Sequence, residues 1–276
     1  MAAAETVTRS RLAVWGDPIA HSKSPDLHAA AYRVLGLDWE YGRRQVSADD
    51  FAPVFAQLDD TWRGLSLTMP LKEQAFRAAA TRDRHAELTG AVNTLLMGEH
   101  PAGFNTDVGG IVDALAEARV TDVDRVRILG AGATAASALV AASDIGATRA
   151  DVRARRPAPA AALAELGERL GMVVDVRSFE APSETVELTL ATLPSGTTLP
   201  ADTATALAAQ GGVLFDAAYA PWPSALAARW ADGATISGLG MLLHQAVRQI
   251  RIFLHGDPAA ELPDEVAVIA AMRAAI

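Results

Sequence analysis

The first hundred residues alternate between short apolar runs and longer segments whose apolar positions recur at helical spacing. Gly36 is expected to end the first of the helices. Strands are predicted over residues 11–16, 39–46 and 62–68, helices over 25–37, 48–58 and 70–80, and two extended segments joined by a turn over 91–97 and 101–107. Strand–helix alternation of this kind predicts an α/β sheet with helices on both faces.

A second α/β pattern begins near residue 121. A short buried-strand run at 126–129 is predicted first. The segment 130–142 follows it, beginning with glycines and continuing as a helix. Further strands are predicted at 149–156, 186–196 and 211–219, and helices at 156–167, 240–256 and 264–276. The strands, each followed by a polar turn, form a mononucleotide-binding pattern. The last two helices are amphipathic and can pack back on the first domain.

Composition narrows the class of protein. A chain of 276 residues is long enough for two domains, and its net charge of −9 argues against nucleic acid as a partner. The absence of cysteine excludes disulfides, thiolate metal sites and cysteine nucleophiles. The six histidines show no ligand spacing, so no metal is expected. No signal peptide or membrane span is visible, and we expect a cytoplasmic protein with no membrane partner.

A glycine-rich turn follows the strand at 126–129. Gly130, Gly132 and Ala135 match G-x-G-x-x-A between a strand and a helix. Glycines there allow a tight turn and let backbone amides reach a pyrophosphate. A simple glycine turn would give the same match, but the strand and helix around it favour a dinucleotide site.

The next strand indicates which dinucleotide. It ends in Ala154-Arg155-Arg156, without the acid that NAD sites usually place there. Guanidinium groups pair well with phosphate, so Arg155 and Arg156 favour the 2′-phosphate of NADP. A solvated basic turn is the alternative.

Two serines lie in the polar stretch HSKSP at residues 21–25. Ser24 before Pro25 predicts a helix N-cap. Capping needs only one hydroxyl, so Ser22 has no role in it. Because helix N-termini attract anions, two hydroxyls here could hold a carboxylate.

Lys72 and Asp107 are candidates for acid–base chemistry. Lys72 lies in the first turn of the helix that Pro70 is expected to open, and Asp107 comes just before an amphipathic segment. A surface lysine and an N-capping aspartate are the ordinary alternatives. A Lys–Asp pair facing a nicotinamide would suit carbonyl reduction, although spacing does not show that the two meet.

Eight stretches, in order along nearly the whole chain, resemble the shikimate dehydrogenase family. They are GDPIAHSKSPDLH, GLSLTMPLK, GAVNT, GFNTDVGG, GAGATA, ATLPSG, DAAYAPWPSAL and GLGMLLHQA. The resemblance implies an α/β fold of two domains with the active site in the cleft between them. A substrate-binding catalytic domain would comprise residues 1–107 and 242–276, and a Rossmann-type, doubly wound NADP-binding domain residues 108–241.

The resemblance also implies an activity, the reversible NADP-dependent reduction of 3-dehydroshikimate to shikimate in chorismate and aromatic amino acid biosynthesis. Lys72 and Asp107 become the catalytic pair, with Lys72 the main acid–base group. The implied substrate contacts are Ser22, Ser24 and Tyr219 at the carboxylate, with Ser66, Thr68, Asn93 and Gln245 at the rest of the ring. The predicted cofactor contacts are Gly130, Ala131, Gly132, Ala133, Ala135, Arg153, Arg155, Arg156, Thr192, Leu193, Gly238 and Met241. The family includes monomers and dimers, so a homodimer is one expectation.

Single residues also have simpler interpretations, and three sites depart from the family pattern. Asn93 fits a turn, Tyr219 a half-buried aromatic, and Gln245 in an apolar helix needs some polar partner. The family often has asparagine at Ser66, glycine at Ala133, and Asn-Arg-Thr at residues 154–156. Serine can still donate a hydrogen bond at position 66, and the central arginine of the turn is kept.

Three other functions remain open at this point. One is a quinate/shikimate dehydrogenase that uses NAD, and another is an aminoshikimate-type enzyme. The third is a non-catalytic sensor of shikimate-pathway metabolites. A sensor should tolerate loss of Lys72 or Asp107, and both residues are present.

Overall fold

A computed structural model describes residues 10–155, 157–230 and 235–276, without the side chains of 157–159. The chain divides into two compact units. One runs up to Thr106 and adds Ala246–Ile276, and the other is Asp107–Gln245. The sequence prediction places the two boundaries after residues 107 and 241. Within the described ranges, no helix is long and apolar enough to cross a membrane.

The first unit is built on a six-stranded mixed sheet. Its strands are β1 (Ser10–Gly16), β2 (Trp39–Gln45), β3 (Trp62–Leu67), β4 (Thr81–Arg82), β5 (Thr94–Leu96) and β6 (Ala102–Phe104). Its helices are α1 (Ser24–Leu35), α2 (Phe51–Phe55), α3 (Lys72–Ala78), α4 (Arg84–Thr89) and, from the C-terminus, α10 (Glu265–Arg273). The strand order is β2-β1-β3-β5-β6-β4, and β5 runs antiparallel to both of its neighbours.

Apolar side chains on the strands and on α2 and α3 form the core of this unit. Trp15 lies at its centre, with its ring edge-on to Phe51 and Trp62 at centroid distances of 6.1 and 6.2 Å. Gly36 ends α1 as predicted, since it adopts φ +65°, a conformation that glycine accepts without strain.

The second unit is a doubly wound α/β domain. Its strands are β7 (Arg125–Leu129), β8 (Arg149–Arg153), β9 (Val173–Arg177), β10 (Leu188–Ala191), β11 (Val213–Asp216) and β12 (Thr235–Ser237). Its helices are α5 (Thr106–Glu117), α6 (Ala133–Asp144), α7 (Pro157–Leu170), α8 (Ala201–Ala209), a 3₁₀ turn at Ala227–Arg229, and the first part of α9 (Leu239–His255).

All pairings in this second sheet are parallel, in the order β12-β11-β10-β7-β8-β9. In sequence rank this is 6-5-4-1-2-3, the Rossmann arrangement that the sequence predicts. The order reverses between β7 and β10, and ligands of such folds bind beyond the carboxyl ends of the strands at that point.

Two fully buried arginines stabilise one face of this sheet. Arg127 on β7 and Arg153 on β8 both pair with Asp151, through Nε–O distances of 3.1 and 2.7 Å. Segment 178–187, which joins β9 to β10, is irregular rather than helical. Most residues of this segment are exposed or partly exposed, but side chains of the two buried arginines donate to its carbonyls at Ser178, Ala181, Pro182 and Glu184.

One helix prediction was too long, and several short elements were not predicted. The helix expected over 48–58 is only Phe51–Phe55, because Ser47 and Asp50 close a turn through two hydrogen bonds of 2.6 and 3.2 Å. The strands β4, β9 and β12 and the helices α4 and α8 were not predicted.

Candidate functional site

The glycine turn after β7 forms a cradle at the carboxyl edge of the second sheet. Gly130 has φ +121°, and a Cβ there would lie 2.5 Å from Oγ1 of Thr192. Gly132 precedes α6, whose N-terminus has no side-chain cap. The amides of Ala131, Ala133 and the helix start thus combine with the helix dipole in a place that suits a pyrophosphate.

Other predicted cofactor contacts lie along the same edge. Thr192 follows β10 and donates to the Leu129 carbonyl at 3.0 Å, and Leu193 is next to it. Gly238 follows β12, and a Cβ there would lie 2.1 Å from the Ala217 carbonyl oxygen. Met241 is buried in the first turn of α9, and Ala135 is buried in α6.

Three arginines were predicted to contact the cofactor, and for Arg153 this prediction is wrong. Its side chain is fully buried, and its five N–H groups are used by Asp151 and the carbonyls of Ser178, Ala181 and Pro182. No donor remains for a phosphate. Arg155 is exposed just beyond the end of β8, while Arg156 lies outside the described residues.

In the first unit, the serine pair has the reverse of the predicted roles. Helix α1 begins at Ser24 itself, and the residue before it is Lys23. The Ser24 amide donates to Oγ of Ser22 at 3.3 Å, and the two hydroxyl oxygens are also 3.3 Å apart. The hydroxyl at the helix start is therefore that of Ser22, and the two side chains are adjacent, as a shared carboxylate site requires.

Ser66 belongs to a buried hydrogen-bond network rather than presenting a proton donor. Its hydroxyl accepts from the Tyr41 hydroxyl at 2.7 Å and donates to Oε1 of Gln249 at 2.8 Å. The prediction that Ser66 can still donate to substrate is therefore not supported, because its single proton is used. Thr68 follows β3, and its amide donates to the Trp15 carbonyl at 2.9 Å.

Sequence reasoning missed three members of this network, namely His28, Tyr41 and Gln249. Nε2 of His28 lies 3.3 Å from Oε1 of Gln249, and the His28 ring stacks on Tyr41 with centroids 3.8 Å apart. Burial lowers the pKa of His28 to about 3 and raises the pKa of Tyr41. The available signal was Gln249, a second glutamine one helical turn after Gln245.

Asn93 is held firmly by its neighbours. Its side-chain amide donates to Oγ1 of Thr106 at 2.9 Å, and its Oδ1 accepts from the Thr106 amide and the Thr94 hydroxyl, both at 2.9 Å. The Asn93 carbonyl accepts from Nε2 of Gln249 at 3.4 Å. The turn-stabilising role is thus real, and it also fixes the orientation of the amide.

The two predicted catalytic residues belong to different units. Lys72 is the first residue of α3, and its carbonyl accepts from the Val92 amide at 3.0 Å. Asp107 is 5% exposed and lies inside the first turn of α5, which begins at Thr106. An N-cap residue directly precedes its helix, and Asp107 does not. The structure therefore does not support the N-cap alternative.

Tyr219 and Gln245 belong to the second unit. Tyr219 is half-buried in the loop after β11, and burial raises its pKa. Gln245 is 8% exposed on α9 and donates to the Leu242 carbonyl at 2.9 Å. Among the described residues, no group of three or more His, Asp or Glu side chains could hold a metal ion.

Comparisons with known proteins agree on one family. The model of the shikimate dehydrogenase substrate binding domain matches residues 14–95. A curated NADP(+) shikimate dehydrogenase of Halobacterium salinarum is 36% identical over 267 residues, which cover 95% of this chain and 96% of that protein.

Solved structures give the same result. The crystal structure of Mycobacterium tuberculosis shikimate dehydrogenase matches with a TM-score of 0.80 and 38% identity, covering 96% of this chain and 99% of that one. The Thermus thermophilus enzyme, solved in complex with NADP(H) and shikimate, matches with a TM-score of 0.78 and 29% identity over 97% of this chain and all of that one.

Proposed function

The chain belongs to the shikimate dehydrogenase family, and from this premise we propose that it catalyses the reversible, NADP-dependent reduction of 3-dehydroshikimate to shikimate. The reaction is a step in the biosynthesis of chorismate and the aromatic amino acids. The observation that carries the proposal is the cradle around Gly130. Its positive φ and the close approach of Thr192 leave room for no side chain, and the uncapped start of α6 supplies amides for a pyrophosphate.

NADP, when bound, supplies or accepts the hydride at C3 of the substrate ring. We infer that Arg155 contacts the 2′-phosphate, because it is exposed beyond β8 whereas Arg153 has no donor left. The exposed guanidinium keeps its donors for a ligand and pairs bidentately with phosphate.

The chain's own residues hold the substrate and move the proton. Nζ of Lys72 donates a proton to the carbonyl oxygen during reduction and accepts it from the hydroxyl during oxidation, with Asp107 as its carboxylate partner. The adjacent hydroxyls of Ser22 and Ser24 bind the substrate carboxylate, with Tyr219 as a further contact. The amide of Asn93, oriented by Thr106, binds a ring hydroxyl.

Initial rates with two substrates and two cofactors test this proposal. Purified protein would oxidise shikimate or quinate with NADP or NAD, followed by nicotinamide absorbance. Fast turnover with shikimate and NADP alone is the expected result. Comparable rates with quinate or NAD would instead indicate a quinate/shikimate dehydrogenase, and shikimate binding without any turnover would indicate a metabolite sensor.

Replacing Lys72 tests its catalytic role. Lys72→Ala removes the proton donor and should lower kcat by about 100- to 10,000-fold, with a much smaller effect on the affinity for NADP. The matched control is Arg77→Ala on the same helix. Arg77 is exposed in an ion pair with Glu73, so its removal should leave kcat unchanged. Wild-type turnover by Lys72→Ala would contradict the assignment.

A further inference from the structure

A buried carboxylate closes the loop that carries Tyr219. Asp216 is the last residue of β11 and is 4% exposed. One of its oxygens accepts from the Ala218 amide at 3.0 Å, and the other accepts from the Ser224 hydroxyl at 2.5 Å. One side chain thus joins both ends of the segment 218–224, with Tyr219 between them.

Both attachment points are themselves fixed to the domain. Oγ of Ser224 accepts from the Ala227 amide at 3.0 Å, at the start of a 3₁₀ turn that packs into the core with Trp230. At the other end, the Gly238 amide donates to the Ala218 carbonyl at 3.2 Å. The carboxylate therefore connects the loop to parts of the domain that are held independently.

We propose that Asp216 is a positioning residue that fixes Tyr219 for binding of the substrate carboxylate. The inference rests on the proposed function for the role of Tyr219, but not for the closure of the loop. Burial of a carboxylate is costly and raises the pKa of Asp216. An apolar residue could not accept from both the Ala218 amide and the Ser224 hydroxyl, which explains why a polar side chain occupies this place.

Two substitutions separate positioning from charge. Asp216→Ala removes both hydrogen bonds. Asp216→Asn keeps the acceptor for the Ala218 amide, and its NH₂ can donate to Oγ of Ser224. We expect Asp216→Ala to raise the KM for shikimate about tenfold while kcat and the KM for NADP change less than about threefold, and Asp216→Asn to restore the KM. Equal losses in all three parameters, or no rescue by asparagine, would overturn the proposal.

A double-mutant cycle tests whether Asp216 acts through Tyr219. Tyr219→Phe removes the hydroxyl that the loop is proposed to present. In that background, Asp216→Ala should raise the KM for shikimate by less than about twofold more, because the contact has already gone. Full additivity of the two effects would show that Asp216 acts elsewhere.

A spectroscopic measurement tests loop closure without any turnover. The chain has three tyrosines, Tyr32, Tyr41 and Tyr219, so ring-labelled tyrosine gives three assignable NMR signals. Asp216→Ala should shift or broaden the Tyr219 signal alone, and Asp216→Asn should restore it. An unchanged Tyr219 signal would overturn the proposal. This result does not depend on turnover, so it can be distinguished from a failure of the wild-type protein to oxidise shikimate, which would contradict the proposed function.

If Asp216→Ala does not fold, Ser224→Ala takes its place. This variant removes one of the two hydrogen bonds and leaves the carboxylate bound to the Ala218 amide. A smaller shift of the Tyr219 signal and a smaller rise in the KM for shikimate are expected. No change in either quantity would count against the role of the Asp216–Ser224 bond.

Discussion

The buried network around His28 has one consistent arrangement of protons. Oε1 of Gln249 can only accept, so Nε2 of His28 must carry the proton and donate to it. Nδ1 then accepts from the Tyr32 hydroxyl, 2.9 Å away. Because Oε1 also accepts from Ser66, the neutral imidazole helps to fix the amide that orients Ser66.

The neutral state of His28 makes stability depend on pH. Burial lowers its folded-state pKa to about 3, below an unfolded value of about 6.5. Its contribution is fully present above pH 6.5 and is lost as the pH falls towards 3, because unfolding then takes up a proton. We expect the unfolding free energy to fall by up to about 1.4 kcal/mol per pH unit between pH 6 and 4 from this residue.

Denaturant unfolding at several pH values measures how the unfolding free energy changes with pH. His28→Gln should reduce this slope by the amount that corresponds to the uptake of one proton. NMR of the histidine rings provides a second test. His28 should stay neutral at pH 5, with its proton on Nε2. A His28 signal that titrates near pH 6.5 would contradict both the pKa and the proton arrangement.

At single residues, sequence reasoning identified chemistry better than partners. The pairing of Ser22 with Ser24 was predicted, yet which hydroxyl serves the helix start was reversed, because that depends on where the helix begins. The involvement of Ser66 with Gln249 joins residues 183 positions apart. No local pattern encodes such a contact.

The pairing of two arginines with Asp151 explains how the second sheet manages without a helix between β9 and β10. An irregular segment leaves backbone carbonyls without the partners that a helix would give them. Arg127 and Arg153 supply donors from the strands beneath, and Asp151 balances one of the two charges. The arrangement assigns Arg153 to the fold and Arg155 to the ligand.

Substitution of the two arginines in parallel tests that assignment. Arg153→Met leaves Asp151 partly unpaired and removes the arginine donor of three carbonyls, so it should lower stability by about 3–5 kcal/mol. Arg155→Ala should change stability by less than about 0.5 kcal/mol, because the side chain is exposed. Thermal unfolding and NADPH titration of both variants provide the measurements.

Cofactor preference is the complementary readout. Arg155→Ala should weaken NADPH at least about tenfold and leave NADH nearly unchanged, since only NADPH carries the 2′-phosphate. Equal weakening of both cofactors would remove Arg155 from the phosphate site. A stable Arg153→Met variant with weakened NADPH would reinstate Arg153 there.

At the level of elements, periodic segments with clear ends were predictable and short ones were not. Helix α1 has apolar spacing and Gly36 at its end, and it was predicted nearly to its bounds. Strand β9 has no buried residue, and Asp175 and Arg177 interrupt its valines, so it lacks the apolar run by which β7, β10 and β11 were predicted. Helix α2 is shortened by hydrogen bonds between Ser47 and Asp50, which compete with helix formation.

The molecule as a whole is acidic, yet both of its proposed ligands are anions. A net charge of −9 repels them at long range, but salt screens this repulsion beyond about 8 Å. Binding therefore depends on local donors. The proposed ones are the hydroxyls of Ser22 and Ser24, backbone amides at the start of α6, and the guanidinium of Arg155.

The division of the chain allows the two proposed tasks to be tested apart. The second unit is one continuous stretch, Asp107–Gln245, with a complete parallel sheet and its own buried core, whereas the first unit needs two separate stretches. A fragment of residues 106–245 should therefore fold and bind NADPH in preference to NADH. It should not oxidise shikimate, because Lys72 and the serine pair are absent.

Fluorescence titration of the fragment with NADPH and NADH, with Arg155→Ala in the same fragment as the control, decides the question. Preference for NADPH that Arg155→Ala abolishes would show that cofactor selection is complete within this unit. A folded fragment that binds neither cofactor would show that residues of the first unit are needed for binding. Measurable shikimate oxidation by the fragment would exclude Lys72 as an indispensable proton carrier, since the fragment does not contain it.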